Sequence, residues 1–477
     1  MEKSVSALLE MARNGQFEMV DLKFSSLIGR MHHITIPAGR LTADTFEKGV
    51  PFDGSSVPGF KKVNSGDMTL VPDPSTAMID GFWDRATLSL LCDIKEADSL
   101  ADYSRDPRFV ARRAEAYMRE LGIADESLWS PEFEFHMFDS VQFDEGENCA
   151  SYMIESQEAG WFANPENSDK LGHKIPHQSG YHACMPQDAY FNIRSEMASR
   201  IEAMGVDVRY HHHEVGSTGQ SEIEIGFNPL TQAGDIGTRI KYIIKMIAKK
   251  HGKTATFMPK PLFYEAGNGM HFHQVLRKGG ENLFYDKEGY AELSQTALYY
   301  IGGILKHGRA LLAFTNPSTN SYKRLVPGFE APTQLFFGLA NRSAAIRIPR
   351  YAKGPDQLRF EFRPPDGTCN LYLAMTAQLM AGLDGIRNKI DPVANGWGPI
   401  DENIEHASEE VRSKISRVPE SLEEAMLALK EDYEFLLEGD VFTKDLIEAW
   451  IDYKMTKEFN QVRNRPHPHE MLLYYDA

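Results

Sequence analysis

Residues 131–138 read PEFEFHMF and alternate strictly, with Glu132, Glu134 and His136 on one parity and Phe133 and Phe135 on the other. In a strand the two parities face opposite ways, so one side is apolar and the other carries two carboxylates and an imidazole. The pattern recurs along the chain. His212 and Glu214 share a parity in HHHEVG, and Glu222 and Glu224 alternate with Ile223 and Ile225. His271 and His273 flank Phe272, and Arg359, Glu361 and Arg363 flank Phe360 and Phe362. A solvated strand face would also carry Lys, Thr, Ser and Gln. Here the polar parity is almost purely Glu, His and Arg, which points to a concave sheet or partial barrel whose ligand-bearing faces converge.

Carboxylates gathered within a few Å raise one another's pKa unless cations neutralise them. Oxygen donors with a minority of imidazole suit Mg²⁺ or Mn²⁺ better than Zn²⁺. Arginines on the same surface suit phosphate or carboxylate oxygens, which they clamp bidentately. Together these residues indicate metal-dependent phosphoryl transfer with an anionic substrate. The chain has no GxxxxGK[ST] loop and no kinase-type catalytic loop, so neither familiar nucleotide fold applies.

The elements that must position these residues form an α+β pattern. A short amphipathic helix is predicted over 4–14, then two short strands around a glycine turn in MVDLKFSSLIGRMHHITIPA. PFDGSSVPGF (51–60) is all turn chemistry and reads as a loop, and 86–97 reads as a strand. DYSRDPR closes a small β-rich first domain, giving a division into residues 1–107 and 108–477. A helix then runs to Gly122, a C′ glycine. Further helices are expected at 192–204, 235–250, 293–313, 373–388, 421–438 and 443–460.

Bulk composition narrows the class. At 477 residues, 42% hydrophobic and 25% charged, the chain is globular and long enough for two domains. It has no apolar run of membrane-spanning length, and its start lacks the apolar core of a signal peptide. Four cysteines without CxxC spacing argue against a disulfide framework or thiolate zinc site and fit a reducing cytoplasm. A net charge of −17 argues against nonspecific nucleic-acid binding.

From NPSTNSYKRLVPGFEAP (316–332) the chain resembles glutamine synthetase of the bacterial and archaeal type I class. The likeness continues through PFDGSSVPGF, SPEFEFHMF, HHHEVGSTGQSEIE, KTATFMPKPLF, GNGMHFHQ, NRSAAIRIP, RFEFRPPD and LMAGLDGIRNKI, to RPHPHEMLLYY near the end. It covers essentially the whole chain in order. The resemblance implies a small N-terminal β-grasp domain and a large catalytic domain with a funnel-like half β-barrel and surrounding helices. It also implies a homo-oligomer, a dodecamer of two hexameric rings, with each active site completed by a neighbour's N-terminal loop. The implied reaction joins ammonium to L-glutamate using ATP, through a γ-glutamyl phosphate.

Carried over by motif, one divalent ion would sit on Glu134, Glu214 and Glu222 and a second on Glu132, His271 and Glu361. His136 continues the strand's parity, yet the motif gives it no ligand role, so it is expected to be a hydrogen-bonded structural histidine. Arg324 and Arg363 resemble the arginines that hold glutamate, with Ala266 and Gly267 beside its amino group. Arg342 and Arg347 resemble phosphate-facing groups, Arg342 serving the transferring phosphoryl. His273, Val275, Lys353, Arg359, Tyr181 and Phe227 fall at nucleotide positions. Asp53, with Ser56 beside it, resembles the base and ammonium site, and Glu330 the flap carboxylate that shields the acyl phosphate from water.

Some positions depart from the family pattern. Ala266 replaces an asparagine, Val275 stands where many members carry serine, Arg209 stands where glutamate is common, and the loop before Arg359 is one residue longer. NIEHAS (403–408) lacks the tyrosine that some bacterial members adenylylate, so no such control is expected there. Two other readings share the motifs: a γ-glutamyl ligase for another amine or polyamine, and a noncatalytic structural or regulatory homologue. The intact FDGSS run with Glu330 favours ammonia over the first, and the complete ligand set disfavours the second.

Overall fold

The computed structural model describes residues 4–161, 172–329, 331–404 and 407–477. A short helix, Val5–Arg13, is capped by the Ser4 hydroxyl and precedes a six-stranded sheet. Strands Met19–Ser25 and Met31–Pro37 pair antiparallel across a turn at Gly29, whose φ of 80° suits glycine. Thr87–Glu96 lies parallel to Met19–Ser25 at the sheet's centre. The 51–60 segment differs from the loop expectation at its start. Val50–Asp53 is a strand pairing with Asp67–Pro72, because Val50 and Phe52 alternate with exposed residues and pack on the core; turns begin only at Gly54.

Asp106 caps the helix Pro107–Glu120, accepting from the Arg108 amide, and Pro107 occupies the first turn, where its missing N–H costs nothing. The chain then enters the long strand Glu126–Phe138, around which a ten-stranded mixed sheet assembles. Val208–His213, Gln220–Ile225, Glu126–Phe138, Phe272–Lys278, Phe360–Phe362, Ala344–Ile348 and Gln334–Leu339 follow one another across it as a curled half-barrel. Its convex side carries the apolar parity. Phe133 packs beneath the helix Leu230–Lys250, and Phe135 lies 5.6 Å, centroid to centroid, from Phe257. Gly234 and Gly237 let that helix approach Tyr372 and Leu371 of the helix Leu371–Asn388 so closely that an added Cβ would collide. Most of the core is one continuous cluster running from Leu8 to Trp450, and a small separate cluster gathers Phe336, Ala344, Ile400, Ile404 and Ile415.

Helix boundaries refine the expectations. The 235–250 helix begins earlier, at Leu230, and the 293–313 segment divides into Gln295–Lys306 and Gly308–Thr315 at His307. The 421–438 segment breaks at Asp432, whose ψ of 72° leaves the helical region. The 443–460 segment is helical as Lys444–Tyr453 and continues as a wider π-type turn over Lys454–Phe459. Among the described residues no helix is long and apolar enough to cross a membrane.

Candidate active site

Register across the half-barrel explains how the polar residues meet. Glu134 stands opposite Glu222, and Glu132 opposite Glu224, in the antiparallel pair of Glu126–Phe138 with Gln220–Ile225. On the far side of Gln220–Ile225, His212 pairs with Glu222 and Tyr210 with Glu224. In the other direction His273 pairs with Glu361, and Glu361 with Arg347. Period-two alternation then sends the row of Glu, His and Arg side chains to the concave face. They line a cleft of about 570 Å³.

One trio is formed by Glu132, His271 and Glu361, whose donor atoms all lie within 4.8 Å of one another. His271 Nδ1 is 2.7 Å from Glu132 Oε2 and 3.2 Å from Glu361 Oε1. A second trio joins Glu214 and Glu222, and its third member is His212. Glu134 stands beside this trio, one oxygen accepting the Gly269 amide at 2.6 Å. Glu224, unassigned from the motifs, forms a further group with Glu132 and His273.

Electrostatics within the cleft are uneven. Burial, then the carboxylates of Glu132, Glu214 and Glu134, push Glu222 well above the usual carboxylate range. Burial also raises Glu132, but hydrogen bonds from His271 and His273 outweigh it and hold the group well below that range. For Glu361 burial is outweighed chiefly by Arg363, and its pKa falls to about 2. A carboxylate raised by like-charged neighbours is relieved by a cation among them. This oxygen-rich donor set with imidazole therefore fits hard divalent ions.

The arginines sit where they can hold anions. Arg363 and Arg347 both bond Glu361, Arg347 at 2.7 Å. Arg324 is buried, donating to the Pro364 carbonyl at 2.8 Å, with another nitrogen 3.3 Å from His271 Nε2. Arg342 lines the cleft and hydrogen-bonds Tyr181. Behind them, Gln220 donates to the Gly267 carbonyl at 2.9 Å, and His136 bonds the Asn268 side chain at 2.9 Å, away from the cleft. Ala266, Gly267, Arg324, Arg342, Arg347, Arg359, Arg363 and Tyr181 all line the cleft with the six motif-derived metal positions.

Other expected site residues do not line it. His273 is fully buried and points its Nε2 at Glu132 Oε1, 2.9 Å away, so it backs a carboxylate instead of facing a ligand. Val275 is buried further along the same strand, opposite Leu128. Lys353 is exposed on the loop before Arg359 and lies outside the cleft wall. Phe227 acts from behind, under the guanidiniums of Arg209 and Arg359. Asp53 lies on the exposed turn of the N-terminal sheet, bonded to the Ser55 amide and Ser56 hydroxyl, and lines no part of its own chain's cleft. Glu330, like Glu405 and His406 of the NIEHAS run, lies outside the described residues.

Sequence reasoning missed Tyr210, Tyr351 and Gln178, all on the cleft wall. Extending the His212 parity by two residues would have reached Tyr210. Tyr351 follows a strand end and Gln178 has a φ of 52°, and neither carries a local sequence signal.

Family comparison agrees with this geometry. The pattern for the glutamine synthetase catalytic domain matches residues 104–474, and that for the glutamine synthetase beta-Grasp domain matches residues 16–97. The chain belongs to the glutamine synthetase family. Glutamine synthetase of Streptomyces coelicolor is 48% identical over 460 residues, 96% of each chain. That of Frankia alni is 46% identical over 470 residues, 98% of each chain. Among solved structures, Plasmodium falciparum glutamine synthetase superposes with a TM-score of 0.90 at 29% identity, covering 99% of both chains. Within the family frame, the half-barrel is the catalytic domain's sheet and the six-stranded sheet is the β-grasp unit.

Proposed function

We propose that the protein is a glutamate–ammonia ligase, joining ammonium to the side-chain carboxylate of L-glutamate with ATP and releasing L-glutamine, ADP and phosphate. The observation that carries this reading is the meeting of the Glu132–His271–Glu361 trio with Arg324, Arg347 and Arg363 in one cleft, in a chain of this family. That combination suits a reaction in which two anions must be brought together and a phosphoryl group passed between them.

Glu132, His271 and Glu361 would hold one divalent ion, and Glu214 and Glu222, with Glu134 or His212 beside them, another. Bound Mg²⁺ or Mn²⁺ would neutralise the phosphate oxygens during transfer. Arg324 and Arg363 hold the glutamate carboxylates, and Ala266 and Gly267 border its amino group. Arg359 and Tyr181 contact the nucleotide, and Arg342 and Arg347 bear on its phosphates. The glutamate side-chain oxygen attacks the terminal phosphorus of ATP, and ADP leaves. Asp53 takes a proton from ammonium, the freed ammonia attacks the acyl carbon, phosphate departs with the electron pair, and Glu330 takes the surplus N–H proton of the adduct to leave the neutral amide. Glu330 keeps water from the acyl phosphate.

Because Asp53 lies outside its own chain's cleft, the reading places it in a neighbour's site, within a dodecamer of two hexameric rings. Residues 1–107 form the unit that reaches across and residues 108–477 the unit that binds substrates. The cysteines Cys92, Cys149, Cys184 and Cys369 are free, which suits the reducing cytoplasm. The test is phosphate release with glutamate, ATP and ammonium in Mg²⁺ or Mn²⁺, repeated with methylamine and polyamines in place of ammonium. Turnover confined to ammonium supports the reading; turnover only with another amine replaces it.

A further inference from the structure

The loop that begins at Asp53 folds back on its own start. The Lys61 amide donates to the Gly54 carbonyl at 3.5 Å and the Phe60 amide to the Val57 carbonyl at 3.2 Å. Asp53, one residue before Gly54, therefore moves with residues 59–61. Gly59 has a φ of 82°, and a Cβ there would meet the Leu27 side chain at 2.7 Å, so glycine is what lets the loop lie this close. Phe60 is buried with its ring edge-on to Tyr103, 5.4 Å between centroids, and Lys61 Nζ stands 5.0 Å from the same Tyr103 ring.

Arg105 clasps this loop. Its Nη1 donates to the Gly59 and Phe60 carbonyls, both at 2.9 Å, while its Nε and Nη2 form a fork on the Asp445 carboxylate at 2.7 and 2.6 Å. A planar guanidinium can bridge two carbonyls and a carboxylate at once, which the compact ammonium of lysine cannot. Asp445 stands in the first turn of the helix Lys444–Tyr453, which Trp450 ties to the Ala313 carbonyl through a 3.0 Å indole N–H bond. The clasp thus joins the Asp53 loop to the far end of the chain. Asp445 is 63% exposed in its side chain, and an ion pair so open to water adds little stability. What the clasp supplies is geometry: it fixes where the loop's carbonyls, and with them the Asp53 turn, stand.

We propose that Arg105 is a positioning residue for the ammonium step, holding the Asp53 turn where it serves the cleft, with Asp445 as its anchor. Arg105 touches no reacting group and acts only through the 54–61 loop. The proposal rests on the reading of Asp53 as the base and ammonium site.

The test uses the assembled full-length enzyme, with ammonium, glutamate and ATP varied separately. Arg105→Ala is expected to raise KM for ammonium about tenfold, while KM for ATP and for glutamate stays within about twofold. Arg105→Lys keeps the charge but loses the fork, and is expected to recover only part of the loss. Asp445→Asn is expected to raise KM for ammonium about threefold. The double variant should be no worse than Arg105→Ala alone, since Asp445 acts through the arginine. Hydrogen exchange at the Phe60 and Lys61 amides should quicken about tenfold in Arg105→Ala, with exchange in Glu126–Phe138 unchanged. Equal rises for all three substrates, an unchanged KM for ammonium, or additive losses in the double variant would each overturn the proposal. Should Arg105→Ala fail to assemble, Asp445→Asn carries the test, and an unchanged KM for ammonium in it overturns the proposal. An Asp53→Ala enzyme that uses ammonium as well as wild type would instead sink the functional reading beneath it.

Discussion

Glu134 and Glu222 are register partners on adjacent antiparallel strands, both buried and both facing the cleft. Directly opposed like charges destabilise a sheet, and here Glu214 and Glu132 add to the repulsion that raises Glu222. The fold therefore carries a local cost that divalent cations would remove. Glu222→Gln is predicted to stabilise the cation-free protein by about 1 kcal/mol while lowering turnover at least about 100-fold. Chemical denaturation in chelator and phosphate-release assays in Mg²⁺ read the two effects. A cation-free variant less stable than wild type would contradict the repulsion argument.

Asp53 supplies the second prediction. The carboxylate is exposed, and hydrogen bonds from Ser55 and then Ser56 lower its pKa, so it is ionised and accessible on the N-terminal turn. Asp53→Ala should depress ammonium-dependent turnover far more than ATP binding. If the residue serves a neighbour's cleft, mixing Asp53→Ala subunits with Glu361→Gln subunits restores activity, to roughly a quarter of wild type for random assembly of equal amounts. Mixed oligomers as inactive as their parents would place Asp53 elsewhere.

Gly269 tests the packing around the trio. A Cβ there would lie 2.6 Å from Arg324 Nη2 and 2.7 Å from His271 Nε2, and both groups are held by buried partners. Gly269→Ala should displace both by some tenths of an Å and reduce kcat/KM for glutamate about 100-fold, since small misplacements of reacting groups are expensive. The kinetic loss should far exceed any change in melting temperature.

How much was legible beforehand follows from these residues. Alternation is a local signal, so Glu132, Glu134, Glu222, His271 and Glu361 could be assigned to one face from short runs. Register is not local. That Glu224 would oppose Glu132, and that His212 would reach Glu222, depends on which residues pair across strands far apart in sequence. The same distinction explains His273. Its parity matches His271, but Glu132 stands in front of it. At residues 50–53 the Asp-Gly and Pro-Gly turn chemistry masked a short strand whose partner lies at 67–72.

A pH prediction comes from outside the cleft. His307, at the break between two helices, bonds Asp432 at 2.8 Å and Asp384 at 2.9 Å, and it stacks 3.9 Å from the Phe435 ring. Burial lowers its pKa, but the two carboxylates outweigh that and the net shift is upward. A group raised in the folded state stabilises fully below its unfolded value and loses that contribution as pH rises through its folded value. His307→Gln should therefore cost about 2 kcal/mol near pH 6 and progressively less towards pH 9. A stability gap that widens with pH would show the imidazole to be neutral in the folded chain.

The central claim is that glutamate is activated by phosphorylation on its side chain inside this cleft. Glutamate labelled with heavy oxygen in that carboxylate, turned over with ATP, ammonium and Mg²⁺, reads it directly by mass spectrometry of the released phosphate. The account predicts one labelled oxygen in each phosphate, formed in step with glutamine and abolished by chelation or by Glu361→Gln. Phosphate that carries no label while glutamine accumulates would contradict it.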